Sequence, residues 1–323
     1  MKRTIALFAL FFSTGVFSYG MDISSWKAEN IFGGQIWALA MQPSNHNVLL
    51  AGGINTLYKS TDNGATWTSK GIADLITDIT FAPSKPDIVY VMGGLTGLYK
   101  SADAGETWNN SSTPTRFDKI ACDPSNENIL YACATQSNPN VVYKSLDAGA
   151  SWKLIYTLDA GFSVTRLVAV SPTNIIITTN NNETDGAIYR STDAGATWAC
   201  LKNELDPNPA CRNIHSFAVD PSSPNVQYAG GAHYIFKSTD NGVTWSEIDV
   251  SGSIGLSAER TVMIVVKNAN DLLACNRTTM FNSNDGGNHW SLVGKMDASA
   301  SGPFGSLSNP VYDSTNGILY IAD

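Results

Sequence analysis

The chain has 323 residues, 43% of them hydrophobic and 15% charged, with 27 glycines, 8 tryptophans and a formal net charge of −8 at pH 7. That is enough apolar material for a sizeable core in one or two domains. The acidity excludes nucleic acid and anionic membranes as partners, since both are bound largely through Lys and Arg; no run after residue 20 approaches the ~20 apolar residues of a membrane-spanning helix, so no membrane insertion is expected.

In chain order, Lys2 and Arg3 precede the apolar run Ile5 to Phe12 and then small residues around Ser18 to Gly20. This is the pattern of a secretory signal peptide, with cleavage expected after Ser18 or Gly20. Residues 1–20 are therefore assigned to a leader and 21–323 to a single domain, placed outside the cell or in a periplasm.

From residue 58 onward a ten-residue box recurs: "YKSTDNGATW" (58–67), "YKSADAGETW" (99–108), "YKSLDAGASW" (143–152), "YRSTDAGATW" (189–198), "FKSTDNGVTW" (236–245) and the looser "FNSNDGGNHW" (281–290). Its aspartates are 41 to 47 residues apart, the period of a propeller or solenoid array. A second unit precedes each box, as in "ALAMQPSNHNVLLAGG" (38–53) and "ITFAPSKPDIVYVMGG" (79–94), and it occurs once more at 310–323 without a box. Each full repeat reads as four short strands. The first ends at the Pro-Ser turn, the second is the "VLLAGG" run, the third is "LYKS" and the fourth starts at the Trp, with Gly, Pro, Asn and Asp at every junction. Radial repetition of such sheets makes an all-β, seven-bladed β-propeller of four-stranded antiparallel blades.

In the first strands, large apolar residues four and two positions before the turn proline flank a small one, as in Leu39-Ala40-Met41 and Phe217-Ala218-Val219. The small residues are expected to face the crowded axis. "SSWKAEN" (24–30) resembles the stretch after a box, so Trp26 is expected to begin the outer strand of the last blade and close the ring. The last blade then has two strands of its own and lacks a third before Asp323. It is expected to be incomplete, with the native chain continuing into a seventh box or a second propeller.

Within the box, the residues at fixed spacing are Ser60, Asp62, Gly64 and Trp67; Ser101, Asp103, Gly105 and Trp108; Ser145, Asp147, Gly149 and Trp152; Ser191, Asp193, Gly195 and Trp198; Ser238, Asp240, Gly242 and Trp245; and Ser283, Asp285, Gly287 and Trp290. The carboxylate suits capping of turn amides and the Ser hydroxyl, and the Gly suits a positive φ. The aromatics before and after the box are expected to point inward, with Lys59, Lys100, Lys144, Arg190 and Lys237 alternating outward. Catalysis needs a site once, whereas a fastener is needed in every blade, so the boxes are read as structural. Ser-x-Asp-x-Gly-x-x-Trp resembles the Asp-box, or bacterial neuraminidase repeat, of the sialidase-like propellers: sialidases, xyloglucan hydrolases, sortilin ectodomains and photosystem II assembly propellers. The resemblance implies the fold and turns remote from the ligand face; it implies no single activity.

Ligands of propellers dock where the loops into the first strands meet the second-to-third-strand turns. Those loops carry Arg116, Arg166, Arg212 with His215, and Arg260, four of the seven arginines, with Asp78, Asp118 and Lys119 nearby. A ring of guanidinium forks suits a carboxylate ligand; neighbouring acids or solvent are the alternative destinations for the same side chains. By resemblance, a sialidase needs an arginine triad whose first member precedes the first box, but residues 21–57 contain none. A xyloglucan hydrolase would carry an Asp after the second strand of the first blade, where this chain has Asn55. "NNNETDG" (180–186) lacks the ligand spacing of an EF-hand, the four histidines lack metal-ligand spacing, and no metal or cofactor is expected. Cys200 and Cys211 flank a loop that a disulfide could close, whereas Cys122, Cys133 and Cys275 read as buried small hydrophobes. The sequence favours a monomeric, non-catalytic module binding a carbohydrate or protein ligand on the axial face. A glycoside hydrolase with part of its active site beyond Asp323, and an assembly or scaffold factor, are the alternatives.

Overall fold

The computed structural model describes residues 5–10, 27–31, 36–135, 139–181, 185–201, 214–231, 234–248, 250, 263–275, 279–295 and 310–321. Among these residues there is no helix, and the strands form seven four-stranded antiparallel sheets, the blades of a β-propeller. Blades one to six each use four consecutive strands. Their first strands are Ile36–Met41, Ile76–Phe81, Lys119–Asp123, Ser163–Ala169, Ser216–Val219 and Met263–Val266. Their third strands, such as Thr56–Ser60 and Gly97–Ser101, end on the serine of the box.

The second strands are the most deeply buried, with Leu49–Gly53 and Val89–Gly93 covered throughout. Each core cluster joins two adjacent blades; Leu50, Ile76, Ile79, Phe81 and Val91 form one between blades one and two. The large–small alternation of the first strands has a different purpose from the one expected. Ile120 and Cys122 pack toward blade two, while Ala121 packs with Val164 and Leu167 of blade four. Phe217 packs toward blade four and Ala218 toward Ile264 of blade six. In these blades large residues fill one interblade layer and small ones leave room for the next blade in the other, because both faces of a blade are covered by neighbours; blade four is reversed, with Val168 and Val170 toward blade five and Ala169 toward blade three.

That same covering corrects the expected outward cations. Lys59 is only 4% exposed and crosses to Glu106 in the box of blade two, 2.6 Å away. Lys144 donates to the Ala194 carbonyl of blade four at 2.7 Å and Lys237 to Gly286 of blade six at 3.3 Å. Lys100, Lys144 and Lys237 lie over the rings of Tyr90, Tyr131 and Tyr228 at 5.7, 5.1 and 5.3 Å, within cation–π range.

In every box the Ser hydroxyl bonds the Asp carboxylate at 2.6–2.9 Å and accepts the Gly amide at 2.8–2.9 Å. The carboxylate also accepts the amide of the residue before the Trp, as from Thr66 and Thr197 at 2.8 Å. Two consecutive left-handed residues make the turn: the Gly, and before it Asn63, Ala104, Ala148, Ala194 or Asn241 at φ of 55–65°.

The seventh sheet joins the ends of the described chain. Val311–Asp313 and Ile318–Ile321 are its first and second strands, Ile5–Leu10 its third and Lys27–Ile31 its fourth. The outer strand thus starts one residue after Trp26, which itself lies outside the described residues. The third position, expected to be empty, is taken by the apolar run read as the core of a leader: six consecutive strand-forming residues meet an otherwise open edge. The register of blade three sets Cys122 opposite Leu130 and Cys133 opposite Lys119, so the two thiols are not paired. Cys200 is exposed with a free thiol, and Cys211 lies outside the described residues.

Candidate ligand site on the propeller axis

Alternating strand direction puts the loops into the first strands and the second-to-third turns on one face, and the Pro-Ser turns and boxes on the other. Equivalent positions around the axis follow from the pairing of first and second strands. Ala38 pairs with Gly52, Asp78 with Met92, Lys119 with Cys133, Arg166 with Thr178, Ser216 with Gly230 and Met263 with Cys275. At one level of the axis, three successive blades therefore present Asp78, Lys119 and Arg166.

These three line one side of an axial cavity of about 370 Å³, and Phe217, Val219, Ile264, Val266 and Tyr312 line the other. The Asp78 oxygens accept the amides of Ile79 and Ile120, each at 3.0 Å, tying blade two to blade three. Burial raises the Asp78 carboxyl above its ordinary value, against the pull of Lys119. Burial also lowers Lys119 and Arg166, opposed in each by the Asp78 charge. Arg166 donates to the Thr165 carbonyl at 3.1 Å. Among the described residues neither cation forms an ion pair with a carboxylate. Two half-buried cations thus face the cavity beside Asp78, with Asp118 as a further acid near Lys119, and a partly desolvated charge without a close partner attracts an anion more strongly than a fully solvated one.

The remaining sequence candidates are placed differently. Arg116 Nε donates to Asp118 at 3.1 Å, within its own loop. Asp118 in turn accepts the Thr135 amide at 3.1 Å and its hydroxyl at 2.6 Å, clamping the second-to-third turn of blade three. His215, half-buried at the start of blade five, has Nδ1 3.5 Å from the Asn180 amide nitrogen. Arg212 and Arg260 lie outside the described residues. Sequence reading missed Asp74, fully buried and bonded to the amides of Leu75, Leu95 and Thr96 and the Thr96 hydroxyl, the counterpart in blade two of the Asp118 clamp. An acid just before a first strand together with a threonine in the facing turn is the signal both share. Among the described residues no group of His, Cys, Asp and Glu is arranged to hold a metal ion.

The fold is a β-propeller of four-stranded antiparallel blades. A profile of the family described as sortilin, neurotensin receptor 3, matches residues 55–187. Among solved structures, YCF48 from Cyanidioschyzon merolae is similar at 13% identity and a TM-score of 0.66, over 89% of this chain and 95% of that one. YCF48 bound to D1 peptide gives 15% and 0.63, over 89% and 93%. The GH74 xyloglucanase from Xanthomonas campestris gives 16% and 0.65, over 88% of this chain and 51% of that one, so this chain spans about half the length of the enzyme. No curated protein sequence matches. At these identities the likeness is one of fold.

Proposed function

We propose that the chain is a secreted, non-catalytic binding module that takes an anionic part of a protein or glycan ligand into the axial cavity. The observation that carries this reading is the pair Lys119 and Arg166, both half-buried in the cavity wall beside the buried carboxylate of Asp78 and neither in an ion pair with a carboxylate among the described residues. The apolar wall opposite, from Phe217 to Tyr312, gives the ligand's non-polar part a surface to cover. Secretion is supported by the leader-like residues 1–20. The peptide in one YCF48 structure is consistent with a protein ligand, and the GH74 neighbour with a carbohydrate one. Hydrolysis of a glycoside requires an acid and a base or nucleophile. Among the described residues Asp78 is the one carboxylate lining this cavity, and both its oxygens are engaged by main-chain amides, which favours binding over chemistry.

The test is a parallel screen of acidic and neutral glycans and of acidic peptides against the wild type and Lys119→Gln/Arg166→Gln. Anionic ligands retained by the wild type and weakened at least ~10-fold in the variant are expected, since loss of a charge-assisted contact is worth ~1.5–3 kcal/mol. Equal binding by both proteins, or binding by neither, overturns the proposal.

A further inference from the structure

In blades two, three and five the third strand runs aromatic–Lys–Ser against a second strand that carries a Tyr, and the pairing registers say what each residue meets. The aromatic lies opposite the residue after the second-strand Tyr: Tyr99 opposite Val91, Tyr143 opposite Ala132, Phe236 opposite Ala229. The next residue, a Lys, lies opposite that Tyr and over its ring, as with Lys100 on Tyr90, Lys144 on Tyr131 and Lys237 on Tyr228. The box serine follows, opposite Val89, Leu130 and Gln227.

Blade seven has the second-strand half of this arrangement. Tyr320 pairs with Val311 of its first strand, as Tyr90 does with Thr80, and is fully buried. Its hydroxyl donates to Asn63 in the box of blade one at 3.1 Å, as Tyr131 donates to Ala194 in the box of blade four at 3.3 Å. Against it, Ile5–Leu10 sets Phe8 opposite Ile321, Ala9 opposite Tyr320 and Leu10 opposite Leu319. Phe8 reproduces the aromatic position. Ala9 stands where blades one to five place a cation and blade six places Asn282, and Leu10 stands where all six place the box serine. The segment in the slot therefore meets one of its three requirements.

We propose that the third-strand position of blade seven, between Ile318–Ile321 and Lys27–Ile31, is an acceptor site for a β-strand whose matching occupant carries aromatic–Lys/Arg–Ser. Residues 5–10 are a replaceable stand-in. The slot offers main-chain partners on two sides, since Ile5–Leu10 pairs antiparallel with both neighbouring strands, and strand addition of this kind draws affinity from the ladder and selectivity from alternate side chains. Vacating the slot by removal of residues 1–20 rests on the leader reading; N-terminal sequencing of the exported protein tests that separately.

The experiment uses the full chain carrying Ala9→Pro, which removes a ladder donor and unseats the strand. The probe is a synthetic peptide of residues 96–111, which holds Tyr99, Lys100 and Ser101 with their box. The expected result is saturable binding to the Ala9→Pro chain with a rise in its melting temperature of several degrees. Binding should be at least ~10-fold weaker to the wild type, whose slot is filled, and to the variant when the peptide carries Lys100→Ala and Ser101→Leu. If the Ala9→Pro chain does not fold alone, the readout is refolding with peptide present, and recovery of the native circular dichroism spectrum is expected. Absence of binding or of rescue, equal binding to wild type and variant, or equal binding of the two peptides overturns the proposal.

Discussion

Gly149→Ala isolates the fastening role of the box. Gly149 has φ of +89°, and a Cβ there would lie 2.1 Å from Leu98 Cδ2 of the preceding blade, with Trp152 Cζ2 at 3.5 Å and Leu130 Cδ1 at 3.6 Å. Leu98 is fully buried and has little room to retreat. Gly71 is the internal control: its φ is +71° and nothing lies within 4 Å of an added Cβ. Both substitutions incur the left-handed penalty of ~1–2 kcal/mol, partly offset by ~0.4–1 kcal/mol from a stiffer unfolded chain. Only Gly149→Ala adds overpacking, ~1–3 kcal/mol in a close-packed core. Urea unfolding followed by tryptophan fluorescence should therefore place Gly71→Ala within ~1 kcal/mol of wild type and Gly149→Ala ~2–3 kcal/mol below it. Affinity at the axis should be unchanged in both. Equal destabilisation of the two variants would refute the claim that box glycines seat against the neighbouring blade.

The box carboxylates should make the ring acid-sensitive. Asp147 and Asp193 are held down to about 2, first by the hydroxyls of Ser151 and Thr197 respectively, from an ordinary value of 3.8. Burial raises Asp240, but the Thr244 hydroxyl and amide and the Ser238 hydroxyl together bring it to about 2. A depressed folded pKa stabilises above the unfolded value, so this contribution should be intact at pH 5 and be lost as pH falls from about 4 towards 2; circular dichroism against pH should show a transition in that window, moved upward by Thr197→Val. Glu106→Ala should lower stability more than Lys70→Ala in chemical denaturation, since it strands Lys59, 4% exposed, whereas Lys70→Ala leaves Lys59 still paired. In reduced, native protein Cys200 should react with a thiol reagent at once. Cys122, whose thiol burial pushes up to about 12, and the buried Cys133 and Cys275 should react only on unfolding, as read by mass spectrometry.

The architecture was legible because the repeat is written ten or more residues at a time. Pro-Ser turns, Gly-rich second strands and the Ser-Asp-Gly-Trp box fix strand number and order without any long-range information. The axial site was only partly legible. Irregularities in pairing between Ile76 and Asp78, and between Val164 and Arg166, add a residue to the first strands of blades two and four. Counting back from the turn proline puts Asp78 and Lys119 both five residues before it but Arg166 six, because blade four has one more residue between strand and turn, so the count alone does not reveal that all three share one level. The box cations were misplaced for a related reason: period two distinguishes two faces of a strand, and in a propeller neither face is solvent. Ile5–Leu10 was read through its flanking charges and small residues as a leader, and the same apolarity suits a strand between two others.

A ligand recovered from the screen permits the most direct test, in which its dissociation constant and the protein's melting temperature are measured side by side for Lys119→Gln/Arg166→Gln and for Asp193→Asn. The account predicts that the axial pair loses at least ~10-fold in affinity while keeping a melting temperature close to wild type. Asp193→Asn should keep its affinity and lose melting temperature. The reverse pattern, with binding lost at the box and retained without the axial cations, would contradict it.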